Sequence, residues 1–251
     1  MLFFCKNLSA EIPLSIQYRR FTTTRHILSI NSNWYFSKEA TAVPEALCPD
    51  WEAVNVPHCW NAVDGQDGGY STWRVDLAEA VEDENLLVIA VDNAANDRVY
   101  PQMADFTFYG GLYRNVNIIA VSESHFDLDY YGTPGIKVTP VMEGTDAKTE
   151  VEVFLTNAKE GQFIRYTLLN KEGKVLGTKD TADKKVIFRI KNAHLWHGRK
   201  DPCLYSVKAE LVEGEEVLDT VMGTANVSFT KEELLKINDQ LNKIRKPKAK
   251  K

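Results

Sequence analysis

The chain has 251 residues, of which 44% are hydrophobic and 26% are charged, a composition typical of a globular protein with one or two buried cores. No window approaches the ~18 consecutive apolar residues of a membrane span, and the apolar opening lacks the basic flank of a secretory signal. The formal net charge is -5, and residues 243–251 hold six Lys or Arg and no acid, so the preceding body carries -11. An acidic body argues against nucleic acid as the partner.

Cysteine and histidine usage indicates neither a disulfide framework nor a metal site. The four cysteines show no C-x-x-C spacing and are sparse for this length, which favours a reducing, cytoplasmic setting. His194 and His197 suggest a metal pair, but no cluster of cysteines or carboxylates accompanies them, so a structural role is favoured. His58 beside Cys59 suggests a nucleophile pair, yet neighbours in extended chain point apart. We therefore expect no metal and no cofactor.

The first part of the chain predicts a leader followed by short strands. Residues 1–26 lack a clear helical or strand period, and we expect a loosely ordered leader. From Ile27 onward, turn residues separate short apolar runs, of which residues 86–91 and 116–121 predict buried strands. Helical periodicity is almost absent up to residue 228.

The second part of the chain predicts a β-sandwich. Apolar residues alternate along three segments, at Val151/Val153/Leu155, Val186/Phe188/Ile190 and Tyr205/Val207/Ala209/Leu211. Hairpin signals, centred on Gly173 and Gly214, lie between such strands. Roughly seven short strands over residues 125–222 indicate an immunoglobulin-like sandwich.

The C-terminal segment predicts one amphipathic helix. Residues 230–233 form a capping box, and Leu234, Ile237, Leu241 and Ile244 follow at steps of three and four residues. Pro247 ends this helix of about four turns, and a solvated lysine tail follows. We assign residues 226–251 to the helix and tail.

Residues that suit sugar binding are concentrated between Trp51 and Tyr131. A pyranose packs its C–H faces on aromatic rings, and carboxylates and amides hold its hydroxyl rim. The structural alternative is that the aromatic residues belong to the core of the sandwich and that the acidic residues lie in turns. The candidates occupy two loops: Trp60, Asn61, Asp64, Gln66 and Asp67 in the first, and Asp105, Phe106, Phe108 and Tyr109 in the second.

Several motifs resemble the N-terminal region of bacterial β-galactosidases of glycoside hydrolase family 2. They are V-P-H-C-W-N at residues 56–61, D-G-Q-D-G-G at 64–69, G-G-L-Y-R at 110–114 and the L-W, D-P and L-Y pairs between 195 and 205. The resemblance implies an all-β chain with a sugar-binding jelly-roll domain at 27–124, an immunoglobulin-like sandwich at 125–225 and a short C-terminal helix. It also implies that Asp105 matches an acidic residue that helps to hold the terminal galactose.

The chain departs from the family plan at two points that bear on activity. In the family a (β/α)₈ barrel with two catalytic glutamates follows, whereas this chain continues into the capped helix and contains no Asn-Glu dipeptide. Near residues 68–70 two family motifs are joined directly, which would leave the first sandwich short of core strands, with exposed edges or with the leader recruited to cover them.

Three functional hypotheses follow. The first is a non-catalytic carbohydrate-binding module for a galactoside-like ligand, working with a barrel-containing glycosidase chain and involving neither nucleic acid nor membrane. The second is a β-galactosidase active by itself, for which we find no catalytic residues. The third is an interaction module that docks through the C-terminal helix. For the first hypothesis, the predicted substrate-binding residues are Asp105, Asn61, Asp64, Asp67, Trp60 and Phe106.

Overall fold

The computed structural model describes residues 2–8, 25–59, 72–82, 84–92, 110–228 and 234–236. The chain divides into two compact units, residues 1–122 and 123–251, where the sequence predicted a boundary between residues 124 and 125. The all-β fold class is confirmed. The strands of the first unit are β1 (Leu2–Asn7), β2 (His26–Ser29), β3 (Trp34–Ser37), β4 (Glu52–Val54), β5 (His58–Cys59), β6 (Leu86–Val91), β7 (Gly111–Leu112) and β8 (Asn117–Ala120).

The first unit contains a four-stranded antiparallel sheet and two strand pairs. The sheet has the order β4-β3-β1-β6, and the pairs are β2–β8 and β5–β7. Leu112 of β7 joins the same apolar cluster as Trp34 of β3 and Ile89 of β6. The Trp34 side chain is fully buried, and its indole N–H donates to the carbonyl oxygen of Ile30 at 2.6 Å, so its one polar group is satisfied.

Residues 2–8 differ from the loosely ordered leader that the sequence predicted. Residues 2–7 form β1, an inner strand of the sheet, where Phe4 pairs with Phe36 of β3 and with Ile89 of β6. The prediction is therefore wrong for these residues. The apolar sequence of this strand supplies side chains to both faces of a sheet, and their burial in the sheet outweighs the entropy of ordering the segment. Residues 9–24 and the predicted join at 68–70 lie outside the described residues.

The second unit is a sandwich of two antiparallel sheets with the strand distribution of an immunoglobulin-like fold. One sheet has the order β10-β11-β15, the other has the order β14-β13-β16-β17, and β9 pairs with β12. The strands are β9 (His125–Phe126), β10 (Ile136–Glu143), β11 (Asp146–Val153), β12 (Leu155–Thr156), β13 (Gln162–Leu169), β14 (Val175–Thr181), β15 (Lys185–Ile190), β16 (Tyr205–Glu213) and β17 (Glu216–Ala225).

The core and turns of the second unit follow the sequence pattern closely. Alternate residues of β11, β15 and β16 are buried in one apolar cluster, among them Val151, Phe188 and Val207. The predicted turn glycines, Gly173 and Gly214, have φ angles of 79° and 62°, in the left-handed region that favours glycine. Residues 234–236 are helical; the rest of the predicted helix and the lysine tail lie outside the described residues.

Candidate functional site

All six predicted substrate-binding residues lie outside the described part of the chain. They belong to residues 60–71 and 93–109, whose structure is not described. The set comprises Trp60, Asn61, Asp64, Asp67, Asp105 and Phe106. The described residues that flank these two segments nevertheless show where each segment joins the first unit.

The ladder between β5 and β7 brings the joining points of the two segments together. His58 is the register partner of Leu112, and Cys59 is the partner of Gly111. Because the pair is antiparallel, the last residue of β5 lies beside the first residue of β7. The first segment therefore begins after Cys59, next to Gly110, before which the second segment ends.

The G-G-L-Y-R element that follows the second segment combines a glycine of positive φ, a buried leucine and an exposed cation. Gly111 has a φ of 112°, which side chains rarely adopt, and Leu112 is buried in the core. The guanidinium of Arg114 lies 6.0 Å from the centroid of the Tyr113 ring, and Arg114 is exposed. The element therefore fixes the end of the second segment to the core and places a cation at the surface beside it.

Asn31 holds the strand that follows this element. Its carboxamide oxygen accepts a hydrogen bond from the backbone N–H of Val116 at 2.9 Å, and its side-chain NH₂ donates to the Asn115 side chain at 3.1 Å. The backbone carbonyl of Asn31 also accepts a hydrogen bond from the N–H of Val56 at 2.8 Å, and Val56 is the first residue of the V-P-H-C segment that contains β5. One residue thus links the chain on both sides of the β5–β7 ladder.

His58 is a packing residue of this region. Its ring lies 4.8 Å from the ring of Phe36 and 5.9 Å from that of Phe4, in tilted and edge-to-face arrangements. These ring contacts give His58 a packing role, and the sequence had already argued against a His58–Cys59 nucleophile pair. The side chain of Cys59 lies outside what the structure describes.

Lys6 is a buried cation that the sequence analysis did not identify. Its side chain is 1% exposed, its Nζ donates to the carbonyl oxygen of Ser32, and it lies 5.8 Å from the Trp34 ring. Burying a lysine is costly without such partners. The sequence offers no local signal for this, because residues 2–5 are all apolar; only the pairing of β1 shows that Lys6 shares a face with Phe4.

Two histidines of the second unit, His194 and His197, both bond to Asp201. The Nε2 of His194 lies 2.5 Å from Oδ2 of Asp201, and this hydrogen bond holds the pKa of Asp201 below its ordinary value. The backbone N–H of His197 donates to the carbonyl oxygen of Asp201 at 2.8 Å. Within the described ranges, no group of three or more metal-ligating side chains occurs, and no helix has the length and apolar character needed to cross a membrane.

Comparisons with known proteins identify the family that the chain resembles. Residues 134–227 match the family described as "Glycosyl hydrolases family 2". A beta-glucuronidase of Bacteroides fragilis is 28% identical over 167 residues, which are 61% of this chain and 24% of that protein. A beta-galactosidase of Thermoanaerobacter pseudethanolicus is 26% identical over 196 residues, which are 71% of this chain and 25% of that protein.

A solved structure extends the similarity to the fold of both units. The FMN-binding beta-glucuronidase from Facaelibacterium prausnitzii L2-6 superposes with a TM-score of 0.69 at 28% identity, covering 82% of this chain and 40% of that one. The chain spans between 24% and 30% of the length of the curated relatives that it matches. These relatives include proteins named for two sugars, a galactoside and a glucuronide.

Proposed function

We propose that this chain, which is related to the N-terminal region of the family 2 glycosyl hydrolases, is a non-catalytic module that binds carbohydrate for such an enzyme. The single observation that carries the proposal is the β5–β7 ladder, because it joins both loops rich in aromatic and acidic residues to one point of the first unit. Trp60 follows Cys59 directly, and Asp105 precedes Gly110 by five residues. Chain connectivity therefore limits Asp105 to within about 18 Å of Gly110 and Trp60 to one residue from Cys59.

Asp105 is the residue that we expect to matter most for binding. A carboxylate can accept hydrogen bonds from two sugar hydroxyls, and losing a charged acceptor costs about 1.5 to 3 kcal/mol, or roughly tenfold to a hundredfold in affinity. Asn61, Asp64, Asp67, Trp60 and Phe106 complete the proposed subsite. In the alternative, Asp105 caps its own turn or pairs with Arg114, whose guanidinium is exposed beside the end of the loop.

The charge of the proposed subsite favours a galactoside over a glucuronide. Asp64, Asp67 and Asp105 are all acidic, and a glucuronide carries a carboxylate that would be repelled by them. A neutral pyranose with several hydroxyl donors meets no such penalty. We therefore propose a galactoside-like ligand, and we expect the chain to cooperate with a barrel-containing glycosidase chain. A cytoplasmic setting belongs to the same proposal, since its sparse cysteines are typical of chains kept reduced.

The test compares variants in the presence of a barrel-containing partner. The full chain is mixed with a β-galactosidase lacking its own first two domains, and the affinity of the pair for a galactoside and for the matching glucuronide is measured. We expect Asp105→Asn to lower galactoside affinity at least tenfold without lowering the melting temperature. An affinity within twofold of the parent, or a variant that loses only melting temperature, would show that Asp105 is structural.

Two assays address the other hypotheses. An active β-galactosidase requires two carboxyl groups about 5 to 5.5 Å apart, and we expect the purified chain to release no more product from an aryl β-galactoside than buffer does. An interaction module is favoured by Leu234 and Leu235, which are 52% and 54% exposed in the helical residues. If deletion of residues 229–251 abolishes association with the barrel chain and leaves the melting temperature of the remaining chain unchanged, the helix is the docking element.

A further inference from the structure

Cys5 lies on the face of β1 that is turned away from the main apolar cluster of the first unit. Side chains alternate along a strand, so Phe3 and Cys5 share one face, while Phe4 and Leu8 share the other. Phe4 and Leu8 belong to the cluster that contains Trp34. Phe3 and Cys5 are nevertheless buried, at 3% and 0% exposure, so another segment of the chain covers their face.

The loop before β4 is the segment that covers this face. The ring of Trp51 lies 6.5 Å from the ring of Phe3. A turn joins Trp51 to Cys48, since the N–H of Trp51 donates to the carbonyl oxygen of Cys48 at 3.1 Å. Because Trp51 packs against Phe3, this turn brings Cys48 to the same face of β1, on which Cys5 is the next residue.

The two cysteines lie near each other and differ in access to solvent. Burial raises the pKa of the Cys5 thiol, and the backbone and side chain of Cys48 also act on that pKa, as is expected of a close neighbour. Both are free thiols in the structure. Cys48 is only partly buried and directs its Sγ to the carbonyl oxygen of Ala46 at 3.3 Å. A small oxidant can therefore reach Cys48 more easily than the fully buried Cys5.

We propose that Cys5 and Cys48 form a disulfide when the protein meets a low-molecular-weight disulfide such as oxidised glutathione, and that this bridge fastens β1 to the loop before β4. The thiolate of Cys48 attacks one glutathione sulfur, forms a mixed disulfide and releases one glutathione thiol. The thiolate of Cys5 then attacks the Cys48 sulfur, and the second glutathione leaves. Two electrons pass from the protein sulfurs to glutathione, and the two thiol protons end on the released glutathiones.

The bridge would act on the strand that organises the sheet. β1 pairs with both β3 and β6, so releasing it would break the sheet into separate parts. Cys5 and Cys48 are 43 residues apart in the sequence, and closing a loop of this size restricts the unfolded chain strongly. Oxidation should therefore stabilise the first unit. This inference does not depend on the proposed carbohydrate binding.

The experiment maps the disulfide formed by the full native chain. The reduced protein is incubated with mixtures of oxidised and reduced glutathione, remaining thiols are alkylated in acid, and the non-reduced digest is analysed by mass spectrometry. We expect the peptide linking Cys5 to Cys48 to be the main oxidised product. A reaction that stops at glutathione on Cys48, or that joins Cys48 mainly to Cys59, would overturn the proposal.

An unfolded sample provides the matched reference. Cys48 and Cys59 are 11 residues apart, so loop closure in an unfolded chain favours their bridge over the Cys5–Cys48 bridge by roughly sevenfold. The same reaction in guanidinium chloride should show this preference. A native chain that gives the same product ratio as the unfolded chain would show that the fold does not bring Cys5 and Cys48 together.

Thermal unfolding tests the effect of the bridge. We expect oxidation to raise the Tm of the parent by roughly 5 to 10 °C. Cys48→Ser should abolish this rise, whereas Cys203→Ala, which removes a thiol of the second unit, should retain it. If Cys48→Ser fails to fold, the linked peptide of the parent still decides the outcome. An equal rise in Tm on oxidation of the parent and of a folded Cys48→Ser variant would show that the Cys5–Cys48 bridge does not stabilise the protein.

Discussion

Gly135, at the start of β10, is the position of the second unit where a single methyl group should cost most. Its φ is +82°, and a Cβ built on it would lie 2.6 Å from the carbonyl oxygen and 2.9 Å from the backbone nitrogen of Asp127. Real Cβ atoms do not approach backbone this closely, so Gly135→Ala forces the two segments apart.

The segment around Asp127 cannot yield without losing hydrogen bonds. The backbone N–H of Asp127 donates to the carbonyl oxygen of Phe154 at 2.9 Å, and the N–H of Phe154 donates to the carbonyl oxygen of Gly135 at 3.0 Å. The Asp127 side chain accepts from the N–H groups of Asp129 and Tyr130, both at 2.7 Å. A shift of Asp127 would therefore disturb several bonds, each with a net contribution of about 1 kcal/mol.

Gly161 supplies a control that separates the clash from the backbone conformation. Its φ is +86°, close to that of Gly135, and nothing lies within 4 Å of its added Cβ. Gly161→Ala should lower the free energy of unfolding by about 1 to 2 kcal/mol, the cost of an L residue in the left-handed region. Gly135→Ala adds an overpacking cost of about 1 to 3 kcal/mol to the same conformational cost.

Native-state hydrogen exchange of peptides from β13 and β16 measures this difference in the full chain. These two strands form the centre of the larger sheet of the second unit, so their slowest amides report its opening. The expected result is that Gly135→Ala loses at least about 1 kcal/mol more protection than Gly161→Ala. Equal losses in the two variants would refute the close approach of Gly135 to Asp127.

Two further predictions concern pH and local stability. The lowered pKa of Asp201 means that its bond to His194 stabilises the second unit above the ordinary carboxyl pKa of 3.8, and this contribution is lost as the pH falls below that value. Asp201→Asn should therefore make the stability of the second unit depend less on pH in this acidic range. An unchanged dependence of unfolding on acidic pH would contradict this. Amides of the second unit should exchange more slowly than those of the first, because its strands reach ten residues whereas those described in the first unit reach six; equal protection would contradict this.

The second unit was predictable from the sequence because its strands are buried on one face only. Alternation at Val151, Phe188 and Val207 marks the inward face, and the glycines at residues 173 and 214 mark the hairpins. Asp219 was not predictable in this way. It is fully buried in β17, where its carboxylate accepts the N–H of Phe126 at 2.8 Å, and only the folded topology brings these residues together.

The first unit was less predictable because its order depends on contacts between distant residues. The sequence identified residues 86–91 as a buried strand; β6 spans these residues, but only Ile89 is buried, and the sequence gave no pairing partner for the strand. The partner is β1, about 80 residues earlier, and a six-residue apolar segment has no local feature that specifies such a pairing. The site loops were identified by composition, whereas the joining of both loops at the β5–β7 ladder became visible only in the structure.

The position of β1 leads to a last prediction, on the contribution of Phe4 to the first unit. The Phe4 side chain is fully buried, and its ring lies 4.7 Å from the ring of Phe36. Removing a buried aromatic ring costs about 3 to 5 kcal/mol, so Phe4→Ala should abolish protection in the β3 and β6 peptides while leaving the second unit protected. Ile27→Ala, at a side chain that is 64% exposed, should change stability by less than about 0.5 kcal/mol. If Phe4→Ala behaves like Ile27→Ala, residues 2–7 do not form the inner strand, and the sheet closes by another pairing of β3 and β6.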